Sequence, residues 1–270
     1  MITRVRSGAG TPLFLFHGDY LHWGLYGYRL SDLLKGDGPV YLLHSVLDTT
    51  SGLGTIEDMV QQHLPHIEAM EPDGPIRLAG FCHGGHAALE LAYQLESRGR
   101  EIESITLIDT LSINARPFMR FMVTLMSSAG RMVPGAFGSR LRRDAILSLW
   151  LLSQILKGDR KIGRVARMLR SGTVSKSIHA TYYQAMSQYV PPKVRADVVC
   201  LVCEEYSAKW GYRAEPWRNL CANLRYARIP GGHHSCIIDH MGELATCLDG
   251  TLQDADTSAG ALAVTNAANP

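Results

Sequence analysis

Short apolar runs recur along the chain at residues 12–16, 40–43, 76–79, 104–109, 198–203 and 224–229. Each is four to six residues long and rich in Val, Ile, Leu and Phe, which predicts buried strands rather than helices. Between the early runs the period changes. Residues 26–34 read as a short helix, and Thr55 can cap a helix to about residue 70, with Glu57 and Asp58 in its first turn. Another helix runs to about Ser97, with Ala88, Leu91, Ala92 and Leu95 on one face. Strand and helix alternate, which argues for a parallel sheet covered on both faces. From about residue 111 to 190 the alternation stops. The pattern there predicts helices over 116–126, 141–156, 162–169 and 175–189, broken at Pro134-Gly135 and Gly158 and closed by Pro191-Pro192. A last helix is expected over 239–252. Residues 254–270 are small and polar without periodicity, as expected of a disordered tail. No internal repeat is visible. One domain over residues 1–253 with a helical insert at about 111–190 accounts for the order.

Composition narrows the class. With 46% hydrophobic and 19% charged residues, the chain has the make-up of an ordinary globular protein. No apolar run approaches the roughly 20 residues of a bilayer span. No apolar signal core follows Met1-Ile-Thr-Arg-Val-Arg, so a cytoplasmic location is expected, without a membrane partner. The six cysteines (82, 200, 203, 221, 236 and 247) are too few and too irregular for a disulfide framework. Cys200 and Cys203 form a CxxC, but within a strand that sends them to opposite faces, so they read as core.

The net charge of +2 hides an asymmetry: 13 Lys and Arg against two acids between Ile113 and Ala180 give +11, leaving −9 elsewhere. Only Phe118, Phe121, Phe137 and Trp150 lie among these charges, at apolar-face spacing, so no nucleic-acid partner is expected. The basic stretch is either a solvated face or a docking surface.

The chemistry centres on Leu78-Ala79-Gly80-Phe81-Cys82-His83-Gly84-Gly85. A strand running into a helix through Gly-x-Cys-x-Gly is the nucleophile-elbow pattern with cysteine in the serine place. The sharp turn strains the central residue, and small neighbours let strand and helix pass closely. The Cys82 sulfur then sits at a helix N-terminus, where the dipole favours a thiolate and N–H groups can meet an oxyanion. A cysteine nucleophile needs a base and an acid to orient it, in the chain order nucleophile, acid, histidine. His233 lies in the loop after the last strand, with His234 beside it as an alternative base. Asp109 ends the strand after the elbow, and Glu204 and Glu205 end a later one as alternative acids. His17-Gly18-Asp19 follows the first apolar strand, where a second oxyanion N–H arises. The pairs His63/His66 and His83/His86 have no acid or cysteine at ligand spacing, so they read as surface or packing residues and no metal is expected.

The segments Pro12-Leu-Phe-Leu-Phe-His-Gly, Gly74-Pro-Ile-Arg-Leu-Ala-Gly-Phe-Cys-His-Gly-Gly, Glu90-Leu-Ala-Tyr-Gln-Leu-Glu, Leu107-Ile-Asp-Thr110 and Ile229-Pro-Gly-Gly-His-His-Ser resemble the thioesterase domains of nonribosomal peptide and polyketide synthases. The similarity runs from about residue 12 to 252 and is weakest in the insert, which in that family is the lid. The resemblance implies an α/β-hydrolase fold: a mostly parallel sheet, helices on both faces and a helical lid insertion. It puts the nucleophile on Cys82, the acid on Asp109 and the general base on His233, with the His83 and Asp19 N–H groups in the oxyanion hole. It implies no permanently bound cofactor. The substrate would arrive on the phosphopantetheine arm of an acyl- or peptidyl-carrier protein, and its acyl group would leave by hydrolysis, cyclisation or transfer.

The departure is cysteine where most members carry serine. A minority with cysteine is known, as is a related group of cysteine acyl- and aminoacyltransferases. Exchange of one thioester for another is nearly isoenergetic, and a thioester is receptive to amines and thiols, so transfer suits Cys82 at least as well as hydrolysis. Two rival expectations are a dedicated transferase shuttling between carriers and, since fold does not secure function, a noncatalytic carrier-docking subunit.

Overall fold

The computed structural model describes residues 2–18, 24–44, 54–111, 114–131, 145–146, 148–149, 178–205 and 215–256. Every apolar run named above is a strand: β2 (Leu13–Phe16), β3 (Val40–Leu43), β4 (Ile76–Phe81), β5 (Ile102–Ile108), β6 (Asp197–Cys203) and β7 (Leu224–Ile229). A further strand, β1 (Ile2–Arg6), precedes them at one edge. Its residues are mostly only partly buried and include two arginines, so periodicity gave it little apolar signal. The seven strands run in the order β1-β3-β2-β4-β5-β6-β7. β1 is antiparallel to β3 and every other pair is parallel. Arg6 ties the edge down, its guanidinium donating to the carbonyls of Gly38, Ser31 and Leu34.

The helices follow the expected alternation, with one break. α1 (Tyr26–Leu33) lies between β2 and β3, and α4 (Gly84–Glu96) follows β4. The single helix expected from Thr55 to residue 70 is two, α2 (Ile56–Gln61) and α3 (Leu64–Met70). Pro65, in the first turn of α3, lacks the N–H that a continuous helix would require there. The Thr55 cap does form, its Oγ1 accepting the Asp58 N–H at 3.1 Å. The last helix, α7 (Met241–Asp256), runs through residues 254–256, which the polar composition had assigned to the tail. Residues 257–270 lie outside the described residues.

The chain divides into two compact units, Met1–Ser45 with Val60–Leu111 and Pro192–Pro270, and Val46–Met59 with Ser112–Pro191. In the first, the residues of β2–β6 are almost all buried on both faces, as a parallel sheet requires, while β7, at the edge, is mostly partly exposed. One face meets Tyr26, Leu30 and Leu34 of α1 and its C-terminal end, together with Met241, Leu244 and Leu248 of α7. α4 packs along β2, β4 and β5. In the second unit, α5 (Pro117–Arg131) and α6 (Ile178–Gln188) are described. Asn114 Nδ2 donates to the carbonyls of Met186, Ser187 and Tyr189, which end α6. Of the expected helix 141–156 only residues 145–146 and 148–149 are described, as helix, and 162–169 lies outside the described residues.

Packing at the start of α4 fixes where the chain can carry chemistry. A Cβ on Gly80 would stand 2.2 Å from the carbonyl of Gly84, and one on Gly84 would stand 2.3 Å from the Phe16 carbonyl oxygen. Neither partner is a flexible side chain, so both glycines are fixed by close approach. Gly80→Ala is expected to destabilise the protein by about 1–3 kcal/mol in urea unfolding, the usual scale for overpacking. Gly36→Ala, where a Cβ meets nothing within 4 Å, is expected to change stability by less than about 0.5 kcal/mol.

Candidate active site

Cys82 is the first residue after β4, and its N–H still donates to Ile108 O of β5 at 2.8 Å. Its φ of +54° is the left-handed conformation that the elbow pattern predicts. Asp109 repeats the arrangement one strand over. Its N–H donates to Leu201 O of β6 at 2.7 Å, and its φ is +44°. Cys82 and Asp109 are the two positive-φ non-glycine residues among those described. An extended exit would carry each side chain along its strand; the left-handed turn lifts it off the carboxyl edge of the sheet.

The structure brings Cys82, His233 and Asp109 together. Asp109 Oδ2 lies 2.5 Å from His233 Nδ1, and Oδ1 accepts the Cys203 N–H at 3.2 Å. The Asp109 side chain is fully buried, while that of His233 keeps 24% exposure. With Nδ1 committed to Asp109, the ring presents Nε2 to the Cys82 sulfur, which it hydrogen-bonds. His234, the other candidate base, is exposed and meets His233 edge-on at 5.2 Å. Glu205 lies in the same loop cluster: its N–H donates to Gly231 O, and its carboxylate approaches Gly232. Asp109, not Glu204 or Glu205, is the acid on His233 Nδ1.

Two contacts had no advance signal. The Phe81 ring, buried beside the nucleophile, stacks on His233 with centroids 4.8 Å apart and planes at 23°. Tyr26 of α1 meets Phe81 edge-on at 5.6 Å. The pattern Gly-Phe-Cys names Phe81 without saying which way its side chain turns.

Burial by itself raises the Cys82 pKa, but His83 and then His233 outweigh it and bring the thiol down to about 5. For His233, burial favours the neutral ring, but the Cys82 sulfur and Asp109 hold the proton on, so its pKa is raised. Both directions favour the same pairing, a thiolate beside an imidazolium that is anchored by a carboxylate. The other thiols differ. The Cys203 thiol is pushed up by a hydrogen bond with Cys236 and by burial, and burial raises Cys221 to about 11. Cys200 and Cys203 are both buried free thiols of β6.

His83 is the N-cap residue of α4, so its backbone lies at the positive end of the helix. Gly18 passes beside the elbow, where a Cβ on it would stand 1.9 Å from Phe81 O and 3.0 Å from Cys82 Cβ. Asp19, the expected second oxyanion donor, lies outside the described residues. Among the described residues no three His, Cys, Asp or Glu side chains group as a metal site, and no helix is long and apolar enough to cross a membrane.

Residues 12–115 match the family model of the thioesterase domain. Over 107 residues the chain is 32% identical to malpinin synthetase of Mortierella alpina, and over 105 residues 30% identical to the polyketide synthase PksR of Bacillus subtilis. It is 38% identical over 107 residues to the nonribosomal peptide synthetase apvA of Aspergillus terreus. These matches take in 37–38% of this chain and 1%, 4% and 11% of the respective relatives, so the chain corresponds to a small part of each. Among solved structures, the NocB thioesterase domain in covalent complex with a fluorophosphonate nocardicin G analog superposes with a TM-score of 0.57 at 23% identity, covering 91% of this chain and 96% of that one. The wild-type Vlm2 thioesterase domain superposes with a TM-score of 0.54 at 18% identity, covering 93% and 97%. The fold is that of the α/β hydrolases.

The low Cys82 pKa generates a selective prediction. Iodoacetamide should label Cys82 ahead of the other five cysteines at pH 6, read by peptide mass mapping. Because the thiolate form is the one stabilised, the labelling rate should be flat above neutrality and lost as pH falls through about 5. A rate still rising between pH 7 and 9 would mean an unpaired thiol.

Proposed function

We propose that this chain is a thioesterase-type acyl-transfer enzyme of peptide or polyketide assembly, with Cys82 as nucleophile, His233 as base and Asp109 as its orienting acid. One observation carries the reading: the buried Asp109 carboxylate on His233 Nδ1 at 2.5 Å, with the ring hydrogen-bonded to a Cys82 sulfur lifted by the strained elbow. A core cysteine needs none of this. The thioesterase-domain match over residues 12–115 supports the substrate class, a thioester on a phosphopantetheine arm presented by a carrier protein.

The Cys82 thiolate attacks the thioester carbonyl, and the charge that develops on oxygen faces the start of α4. The His83 N–H, and the N–H of Asp19, are the donors assigned to it. The pantetheine sulfur departs with the electron pair of the broken C–S bond and takes a proton from the His233 imidazolium. The now neutral His233 then accepts a proton from water, an amine, a hydroxyl or a second thiol as it attacks the Cys82 thioester. Cys82 leaves as the thiolate with which the cycle began.

Incubated with an acyl-carrier thioester, the wild-type protein should gain the acyl mass on Cys82, and Cys82→Ala should gain none while staying folded. Turnover by Cys82→Ala at the wild-type rate would refute the mechanism. Asp109→Asn should lower kcat by about 10³–10⁴, the scale seen when a triad histidine loses its tautomer.

The carrier supplies a further expectation. The segment from Ile113 to Ala180 holds +11, and an acidic carrier surface would be steered toward it. Most of that charge, including Arg140, Arg142 and Arg143, lies outside the described residues. The kcat/KM for carrier-bound substrate should fall steeply with salt while that for a small pantetheine thioester stays level, since screening acts over about 8 Å at physiological strength. Equal responses would leave the basic segment without a docking role.

A further inference from the structure

The His233 ring rests on an aromatic face. Phe81 and His233 stack with centroids 4.8 Å apart and planes inclined by 23°, a face-to-face rather than an edge-on contact. Phe81 is 1% exposed, and its backbone is pinned. It ends β4 in register with Ile108 of β5, and a Cβ on Gly18 would stand 1.9 Å from its carbonyl oxygen. Tyr26 of α1 meets its ring edge-on at 5.6 Å. The His233 side chain keeps 24% exposure, so Phe81 shields one face of a ring that still reaches solvent. The titratable groups facing His233 come from several elements. Asp109 ends β5 and holds Nδ1, and Cys82 follows β4. His234 of the same loop meets the ring edge-on at 5.2 Å, and the carboxylate of Glu205, after β6, approaches Gly232. Cys236 donates its thiol to the His233 carbonyl at 3.2 Å, and Cys203 of β6 acts through Asp109, whose Oδ1 takes its N–H. Asp109 acts in the plane of the imidazole through a nitrogen; Phe81 acts across its face.

We propose that Phe81 is a positioning residue for the base: its π face is the seat of the His233 imidazolium, so that the ring takes up a proton more readily than an aliphatic neighbour would allow. This rests on the reading of His233 as the base of the reaction. The face of a benzene ring carries negative potential, and a cation within about 6 Å of its centroid is attracted to it, more strongly where water is excluded. A neutral imidazole gains the packing but not this attraction. The difference between the two states is a raised pKa, and the cycle uses it unevenly. While Cys82 is a thiolate, the sulfur and Asp109 both hold a proton on His233. Once Cys82 is acylated the sulfur charge is gone, and the incoming nucleophile gives its proton to a ring backed by Asp109 and Phe81. The stack therefore supports release more than acylation. A leucine at position 81 would fill much of the same volume and supply none of this.

The test separates the shape of the ring from its charge distribution. Phenylalanine bearing successively more fluorines at position 81 keeps nearly its shape, while each fluorine draws negative potential off the face. The series is made in Cys82→Ala, where no sulfur couples to the base. The His233 pKa is read from its Cε1–H NMR resonance, assigned by its loss in His233→Gln. Fluorination should lower that pKa stepwise, by about 0.4 to 1.5 pH units in total, the range that cation–π attraction spans. Phe81→Leu should lower it in the same direction. A pKa that stays level or rises across the fluorinated series overturns the inference, since packing alone predicts no such trend. With Cys82 restored, the fluorinated variants should slow release of an acyl group from Cys82 more than its loading from a pantetheine thioester; equal slowing also overturns it. The titration needs no acyl donor. A stepwise fall in pKa in a protein that no thioester acylates would refute the proposed function and leave Phe81 as the seat of the imidazolium. A level pKa in a protein that turns thioesters over would do the reverse.

Discussion

The near-contact between β4 and α4 is the constraint from which the site follows. Gly80 and Gly84 let strand and helix meet at distances no Cβ permits, and the two residues left between the elements turn the chain with Cys82 at a φ of +54°. Such a residue costs of order 1–3 kcal/mol and persists only where its surroundings over-determine it. Here they do. The Cys82 N–H stays in the ladder on Ile108 O, while Ala87, Ala88, Leu91, Ala92 and Leu95 bury α4 against the sheet. A longer turn would relax the backbone but would move the sulfur away from the helix start and from His233.

Asp109 shows that the device is used twice. It too steps out of its strand with positive φ while its N–H remains bonded to the next strand. Parallel strands end at one edge, so two such turns on neighbouring strands deliver a thiol and a carboxylate side by side, and the loop after β7 supplies the imidazole. The Asp109 carboxylate is buried with a backbone N–H on one oxygen and His233 on the other. Its partner is therefore both positioned and kept protonated, and the Phe81 face restricts the remaining rotation of the ring.

Much of this was legible before any coordinates. The inner strands stand out because parallel strands are buried on both faces and read as largely apolar runs; β7, an edge strand with Arg225 and Arg228, shows only its apolar ends. The elbow is legible because glycine is demanded by close approach, and Asp109 and His233 because they end or follow strands at the carboxyl edge of the sheet. What escaped had physical reasons. β1 is an edge strand whose alternation carries arginines. Pro65 splits a helix whose apolar period runs straight through it. The stacking of Phe81 on His233 depends on how the chain turns at Cys82, which a residue pattern implies only as strain. The choice between Asp109 and the Glu204–Glu205 pair needed the distance to His233, since each ends a strand at the same edge.

The cysteine changes what the rest of the machinery has to do. A hydroxyl nucleophile keeps its proton until the transition state, so its histidine must act as a base during attack. At Cys82 the imidazoles of His83 and His233 outweigh the burial of the sulfur and lower the thiol pKa, while the sulfur and Asp109 raise that of His233, so the pair favours a proton on the ring. On the proposed reading, Asp109 then serves to hold an imidazolium rather than to assist a deprotonation. The first chemical duty of His233 becomes that of an acid toward the departing pantetheine sulfur. On the same reading, the low thiol pKa makes Cys82 a good leaving group in the second half-reaction. A site that stabilises its nucleophile this well would be slow to give up an oxyester-forming alkoxide, but it loses little when the bond exchanged is one thioester for another. On that reading such a pair favours thioester chemistry in both directions, and the fate of the acyl group is decided by which nucleophile reaches the neutral His233 first.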